Sequence, residues 1–99
     1  MNTFAPILIS ENALIEIKKI ISLKNIPVNY GLRVGVKGAG CAGVSYLIGF
    51  DNKKETDEEY LIDGISVFIE KKHFMYVIGL KVDFVNEAEQ RGFVFVNEK

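Results

Sequence analysis

The chain has 99 residues, and its 12 basic side chains against 13 acidic ones leave a formal net charge of -1 at pH 7. Lysine and arginine are scattered, which excludes nucleic acid as the expected main partner because phosphate binding draws on clustered cations. Hydrophobic residues make up 48% of the chain, and no apolar run approaches the roughly 18 residues that span a bilayer. We therefore expect one domain over residues 1–99, with no membrane partner. The single cysteine and the absence of a leader pattern predict a cytoplasmic location.

The first predicted element is an amphipathic helix from Glu11 to about Lys24. Ser10 offers a hydroxyl that can cap its N-terminus, and Asn25 and Pro27 end it. Apolar residues recur at three- and four-residue spacing, which predicts a helix that covers a sheet. These residues are Ala13, Leu14, Ile17, Ile20, Ile21 and Leu23.

Beyond Pro27 the apolar period changes from 3.6 to 2, which is typical of half-buried strands. Leu32 to Lys37 alternates in this way, and so does Val44 to Phe50. The glycine-rich segment 38–43 lies between them. The pair therefore predicts a β-hairpin that carries Cys41 near its tip.

The second half of the chain predicts further short strands around polar turns. Residues 51–59 hold seven charged side chains and no apolar one, so we expect a solvated connection. Asp63-Gly64 separates the strands predicted at 60–62 and 65–69 and favours a type I′ turn. A short helix is predicted over 70–78, ended by Gly79, and strands over 81–85 and 92–96. About seven strands and two helices without strand-helix-strand alternation predict an α+β domain with a mostly antiparallel sheet.

Cys41 is the strongest candidate ligand for a soft metal because iron and iron-sulfur clusters favour thiolates. Gly38, Gly40 and Gly43 surround it, and their amides are able to donate hydrogen bonds to cluster sulfur. A free cysteine is also often an ordinary packed residue. A cluster held by protein sulfur alone takes four thiolates, whereas one chain provides one and a symmetric dimer two. The others would come from external thiols, carboxylates or a partner protein.

Other chemistries are weaker. His73 is the only histidine, and its place beside Lys71 and Lys72 predicts an exposed polar position. The glycine-rich segment leads into a strand rather than a helix, which argues against a phosphate-binding loop. Because no general acid and base pair or complete metal triad can be assembled, we predict that the chain is not an enzyme.

The segment from Val36 to Tyr46 resembles the G-G-C-S/T-G loop of A-type iron-sulfur carriers, the HesB/IscA-like family. Residues 9–13 are similar to that family's L-T-x-x-A start, and residues 32–38 to its L-R-L/V-x-V-x-x-G strand. Further similar segments stand in the family's order at 50–51, 62–64, 82–85 and 92–95. The resemblance implies a compact β-sandwich with two flanking helices, assembled as a homodimer or tetramer.

The resemblance also implies a function. It assigns Cys41, supported by Gly38, Gly40 and Gly43, to binding iron or a 2Fe-2S cluster that is passed to apoprotein clients or other assembly proteins. The family's Cys-Gly-Cys motif would follow Phe95, where this sequence reads Val96-Asn97-Glu98-Lys99, so we expect a divergent member that lacks it. Two alternatives stay open: a metal-free protein-interaction module that keeps the fold, and a redox-sensing thiol protein.

Overall fold

The computed structural model describes residues 5–40 and 43–97, with the backbone alone described at 38–40, 43 and 44. These residues form seven strands, two α-helices and one 3-10 turn. Three strand pairings are antiparallel and two are parallel. In chain order the elements are β1 (Leu8–Ile9), α1 (Glu11–Leu23), β2 (Tyr30–Gly40), β3 (Gly43–Asn52), β4 (Asp57–Ile62), β5 (Ile65–Glu70), the 3-10 turn (Lys71–His73), α2 (Phe74–Val77), β6 (Leu80–Asn86) and β7 (Arg91–Asn97). The predicted α+β class is confirmed.

The described chain divides into two compact units, and the first comprises residues 27–78 together with the segment up to Pro6. Its four-stranded sheet has the order β3-β2-β5-β4. The turn between β4 and β5 has positive φ angles at Asp63 (49°) and Gly64 (83°), as a type I′ turn requires. The predicted hairpin is therefore confirmed. The parallel pairing of β2 with β5, through Leu32–Val67 and Arg33–Phe68, joins segments far apart in sequence.

The core of the first unit lies on the face of the sheet that carries the alternating apolar residues predicted for β2. Gly31 is required on the opposite face, because a Cβ atom there would lie 2.7 Å from the Phe68 ring. The buried apolar residues of this unit are Leu32, Val34, Val36, Tyr60, Ile65, Val67, Phe68, Ile69 and Val77.

The second unit comprises residues 7–26 and the chain from Gly79 onward, and it holds a three-stranded sheet of order β1-β6-β7 with α1. Ser10 caps α1 as predicted: its Oγ accepts a hydrogen bond from the Ala13 N–H (3.1 Å). The same hydroxyl donates to Asp83 Oδ1 at 2.6 Å and so ties the start of the helix to β6. This bond lowers the pKa of Asp83. Asn25, with a φ of 51°, follows the helix end.

The helix face buried in the second unit is narrower than its apolar pattern predicts. Ala13 and Ile17 are fully buried, whereas Leu23 is 73% exposed. The acidic Glu16 is buried instead, with Arg91 Nη2 at 3.5 Å from its carboxylate. The Arg91 guanidinium also lies 5.4 Å from the centre of the Phe84 ring. No helix in the described ranges is long and apolar enough to cross a membrane.

Candidate functional site

The β2–β3 hairpin carries the predicted ligand. Its strands pair from Tyr30–Asn52 to Lys37–Ser45, and the register then shifts before a final pair, Gly40–Gly43. Two β2 residues lie opposite one β3 residue at this shift, which is the arrangement of a β-bulge. Bulges often occur beside functional sites because they bend a strand and redirect what it carries.

The Gly40–Gly43 pair is the last described pair of the hairpin, and Cys41 and Ala42 come next in sequence. Both lie outside the described residues. The predicted six-residue glycine loop is largely strand. Strand β2 extends to Gly40 and so includes Gly38, and β3 begins at Gly43. The assignment of Cys41 and these glycines to cofactor or metal binding stays a prediction.

His73 packs against β2 rather than standing in solvent as predicted. Its ring is half-buried, and its Nδ1 accepts a long hydrogen bond of 3.5 Å from the Val36 N–H. A Cβ atom on Gly35 would lie 2.8 Å from the same nitrogen, so only glycine allows this approach. Gly35 and Gly40 are five residues apart, or about 17 Å along the strand. The structure therefore places the ring well along β2 from the glycine pair that flanks Cys41.

A cluster of charged groups joins β2, β3 and β4 in the first unit. Arg33 donates from Nη1 and Nη2 to the two carboxylate oxygens of Asp57 at 2.7 and 2.6 Å, and from Nε to Asp51 at 3.2 Å. Its Nη2 also donates to the Asn52 carbonyl at 2.8 Å. Asp57 accepts a further bond from the Lys54 N–H at 2.7 Å. Its side chain is completely buried.

These contacts perturb the acid-base behaviour of the cluster. The hydrogen bond from Arg33 lowers the pKa of Asp57, and the same bond raises that of Arg33. The pKa of Asp51 is lowered, mainly by its hydrogen bond with Lys54. Because four of the five guanidinium N–H groups donate to these acceptors, this charged cluster serves to hold the base of the hairpin.

Sequence reasoning missed this cluster. The stretch 51–59 was expected to be a solvated connection, but β4 begins at Asp57 and buries its carboxylate. A lone arginine in an alternating strand was the available signal, since it implies an acceptor on a neighbouring strand. Within 5–40 and 43–97, no three His, Cys, Asp or Glu side chains are grouped so that they could hold a metal ion.

Comparison with known proteins assigns the chain to a family. The family model described as "Iron-sulphur cluster biosynthesis" matches residues 5–99. The chain belongs to this iron-sulfur cluster biosynthesis family, the HesB/IscA family of A-type carriers, as the motif resemblance predicted. Its members are carriers and scaffolds, so the prediction that the chain is not an enzyme is confirmed.

Curated relatives agree with this assignment. The chain is 39% identical over 98 residues to the zebrafish (Danio rerio) protein named "Iron-sulfur cluster assembly 1 homolog, mitochondrial", and the match covers 98% of the chain and 74% of the relative. The human protein of the same name is 38% identical over 96 residues, covering 96% and 73%. The predicted cytoplasmic location is wrong by this comparison, because these relatives are named mitochondrial.

Solved structures share the fold. Escherichia coli SufA, described as involved in biosynthesis of iron-sulfur clusters, superposes with a TM-score of 0.78 at 30% identity, covering 99% of this chain and 87% of SufA. IscA, solved with a 2Fe-2S cluster, gives 0.71 at 22% identity, covering 92% and 81%, and supports the fold alone. The predicted HesB-like fold is confirmed.

Proposed function

We propose that this member of the family binds iron or a 2Fe-2S cluster through Cys41 and passes it to apoprotein clients or other assembly proteins. In this proposal the iron or cluster is cargo rather than a resident cofactor. The chain works as a homodimer or tetramer, and its cargo lies at a subunit interface. The relatives' names, and the description of SufA as involved in biosynthesis of iron-sulfur clusters, support the kind of cargo.

The β2–β3 hairpin is the observation that supports the proposal most strongly. It pairs two glycines immediately on either side of Cys41-Ala42. Glycine has no side chain, so a cluster is able to approach the neighbouring backbone amides, which stabilise charge on its sulfides. The cysteine is the one thiol in the 99 residues, and thiolate is the ligand that these clusters favour.

The number of ligands fits transient rather than permanent binding. Each copy of these 99 residues contributes one thiolate, so two copies contribute two of the four that a 2Fe-2S cluster takes. The remaining ligands come from external thiols, carboxylates or a partner protein. Ligands that are not part of the same chain segment can be exchanged for those of a client, which suits a carrier.

Anaerobic reconstitution with ferrous iron and sulfide tests the proposal. We expect about one iron per chain for a 2Fe-2S cluster shared by two copies, together with visible absorption. Cys41→Ser should lose both. Ser45→Ala is the matched control because Ser45 is exposed on β3 near Gly43, and this variant should keep the cluster.

Equal iron and sulfide contents in wild type and Cys41→Ser would refute the proposed ligand. If neither protein takes up a cluster, the metal-free interaction module becomes the better account. A fast, pH-dependent alkylation of Cys41 in cluster-free protein would instead favour the redox-sensing thiol, since sensor cysteines react as thiolates.

A further inference from the structure

An open groove of about 510 Å³ lies within the second unit, between α1 and the end of β6. One wall is a stripe of α1 whose three- and four-residue spacing puts its side chains on one face of the helix. The other wall is residues 83–87, which run from β6 into the turn that follows it. The volume is in the range of ordinary ligand sites, roughly 300–1,000 Å³. The residues of the α1 stripe are Asn12, Ile15, Glu16 and Lys19.

Glu16 is the buried charged group of this groove. It exposes only 9% of its surface. Its two ion-pair contacts within the described residues are nevertheless long: Arg91 Nη2 lies 3.5 Å from Oε2, and Lys19 Nζ lies 3.7 Å from Oε1. Charge-assisted hydrogen bonds are normally about 2.7–2.9 Å long, and a buried carboxylate needs such close donors to offset its lost hydration. Glu16 is therefore able to accept a closer cationic donor from a ligand.

Asp83 gives the opposite wall a second acceptor. Its Oδ1 accepts hydrogen bonds from the Ser10 hydroxyl at 2.6 Å and from the Phe84 N–H at 2.8 Å. Among the described residues no hydrogen bond falls on Oδ2, which stays available to a ligand. Glu87 adds a third carboxylate, and Lys19 is the one basic residue in the lining. This excess of negative charge attracts a cation.

Apolar surface borders these carboxylates. Ile15 is 56% exposed on α1, and Phe84 and Val85 are half-buried on the other wall. Long basic side chains pack their alkyl stem on surface of this kind while the charged head reaches an acceptor. A guanidinium has five donors in a planar fork, so it is able to bond to acceptors on both walls, whereas an ammonium is a point charge.

We propose that this groove binds an arginine side chain of a partner protein, with the guanidinium donating to Glu16 and Asp83. Apolar residues beside the arginine pack against Ile15 and Phe84. The groove is open to solvent and larger than one side chain, which suits a segment of a protein chain better than an enclosed small molecule. The inference does not rest on Cys41 or on cluster binding.

A peptide titration in iron-free protein tests the ligand chemistry. The tripeptide acetyl-Val-Arg-Leu-amide would be added to the chain, and the amide NMR shifts followed. We expect the Lys19 and Asn86 amides to shift, because these residues line the two walls. The same peptide with citrulline in place of arginine keeps the shape without the charge and should bind about tenfold more weakly. Equal binding of the two peptides, or no shifts along the groove, would overturn the proposal.

Butylguanidinium chloride distinguishes a partner segment from a free small cation. It carries the same head group without the neighbouring apolar residues, so it should bind more weakly than the arginine tripeptide. If it binds as tightly as the tripeptide, the groove takes a small cation and the proposed partner segment is wrong.

A pair of charge-removing variants tests the role of Glu16. Glu16→Gln should weaken binding of the arginine tripeptide about tenfold, since it removes a charged acceptor. Glu11→Gln is the matched control: it makes the same change in net charge, and Glu11 is exposed in the first turn of α1 outside the groove. Equal weakening in both variants would mean a general charge effect and would overturn the site.

Arg91→Gln gives the opposite sign. It removes a positive charge 3.5 Å from the Glu16 carboxylate that would repel the guanidinium of the ligand, so the arginine tripeptide should bind more tightly. The Arg91 side chain is 58% exposed, so this variant tests the site even if Glu16→Gln does not fold. Weaker binding by Arg91→Gln would contradict the proposal.

Discussion

The buried carboxylate of Asp57 provides the most quantitative test of how the hairpin is held. Replacing it with asparagine removes the negative charge but keeps the size of the side chain. Arg33 then loses a bidentate partner with contacts of 2.6 and 2.7 Å, and it keeps Asp51 and the Asn52 carbonyl. The introduced amide can also accept only one of these two bonds.

Breaking a buried ion pair by removing one partner typically costs about 3–5 kcal/mol. Arg33 is 23% exposed at its side chain and keeps other acceptors, so we expect the lower end, about 3 kcal/mol. For a chain of this size the loss corresponds to a fall in melting temperature of about 12–24 °C. Arg33→Met should cost at least as much, because it leaves the Asp57 carboxylate buried with the Lys54 N–H as its remaining described donor.

Urea unfolding followed by circular dichroism, at one fixed protein concentration, measures these losses. The double variant, Asp57→Asn with Arg33→Met, should be clearly more stable than the sum of the two single losses predicts, since one interaction cannot be lost twice. If Asp57→Asn lowers the free energy of unfolding by less than about 1 kcal/mol, the structural role of the charged cluster around Arg33 is refuted. Strict additivity of the two single losses would refute it equally.

The pH dependence of the unfolding free energy tests the direction of the Asp57 pKa shift. The Arg33 bond lowers the pKa of Asp57 below its ordinary value of 3.8, so the stabilisation is fully present above that value. It is lost as pH falls through the lower folded-state pKa. The difference in unfolding free energy between wild type and Asp57→Asn should therefore be constant between about pH 5 and 7 and shrink below about pH 4. Asp83, which is bonded to Ser10 rather than to Arg33, titrates alike in both proteins.

Two further substitutions test local packing. Gly35→Ala brings a methyl group to 2.8 Å from His73 Nδ1, and it should lower the free energy of unfolding by about 1–3 kcal/mol in a thermal melt. Adding His73→Ala should recover most of that loss, and no recovery would contradict the contact. Ser10→Ala removes both the cap of α1 and the hydrogen bond to Asp83. We expect the free energy of unfolding in urea to fall by about 1–2 kcal/mol. A change within about 0.5 kcal/mol would refute the role of Ser10 as the cap.

Local signals in the sequence predicted much of the fold. Ser10 as the cap of α1, the turn at Asp63-Gly64 and the alternation along β2 and β3 depend on neighbouring residues, so they could be predicted one segment at a time. The parallel pairing of β2 with β5, and of β1 with β6, could not. Many short apolar strands have the same pattern, and nothing local specifies which of them become neighbours.

The candidate site was likewise predicted from local signals but not from contacts between distant residues. Cys41 was found from its residue type, its glycines and the family motif, and its role as a ligand stays a prediction. The burial of Asp57 depends on Arg33, 24 residues away, and a run of charged residues gives no indication of it. The approach of His73 to Gly35 was also missed, since a glycine in a strand does not reveal which side chain fills the space above it.

Protection of Cys41 from alkylation tests the central claim most directly. Iodoacetamide would be added anaerobically to the chain before reconstitution, after it, and after removal of the iron with a chelator, and labelling would be read by mass spectrometry. If the thiolate binds the cluster, alkylation should slow strongly on reconstitution and return to its first rate with the chelator. A cluster that binds in stoichiometric amount while Cys41 reacts at an unchanged rate would contradict the account.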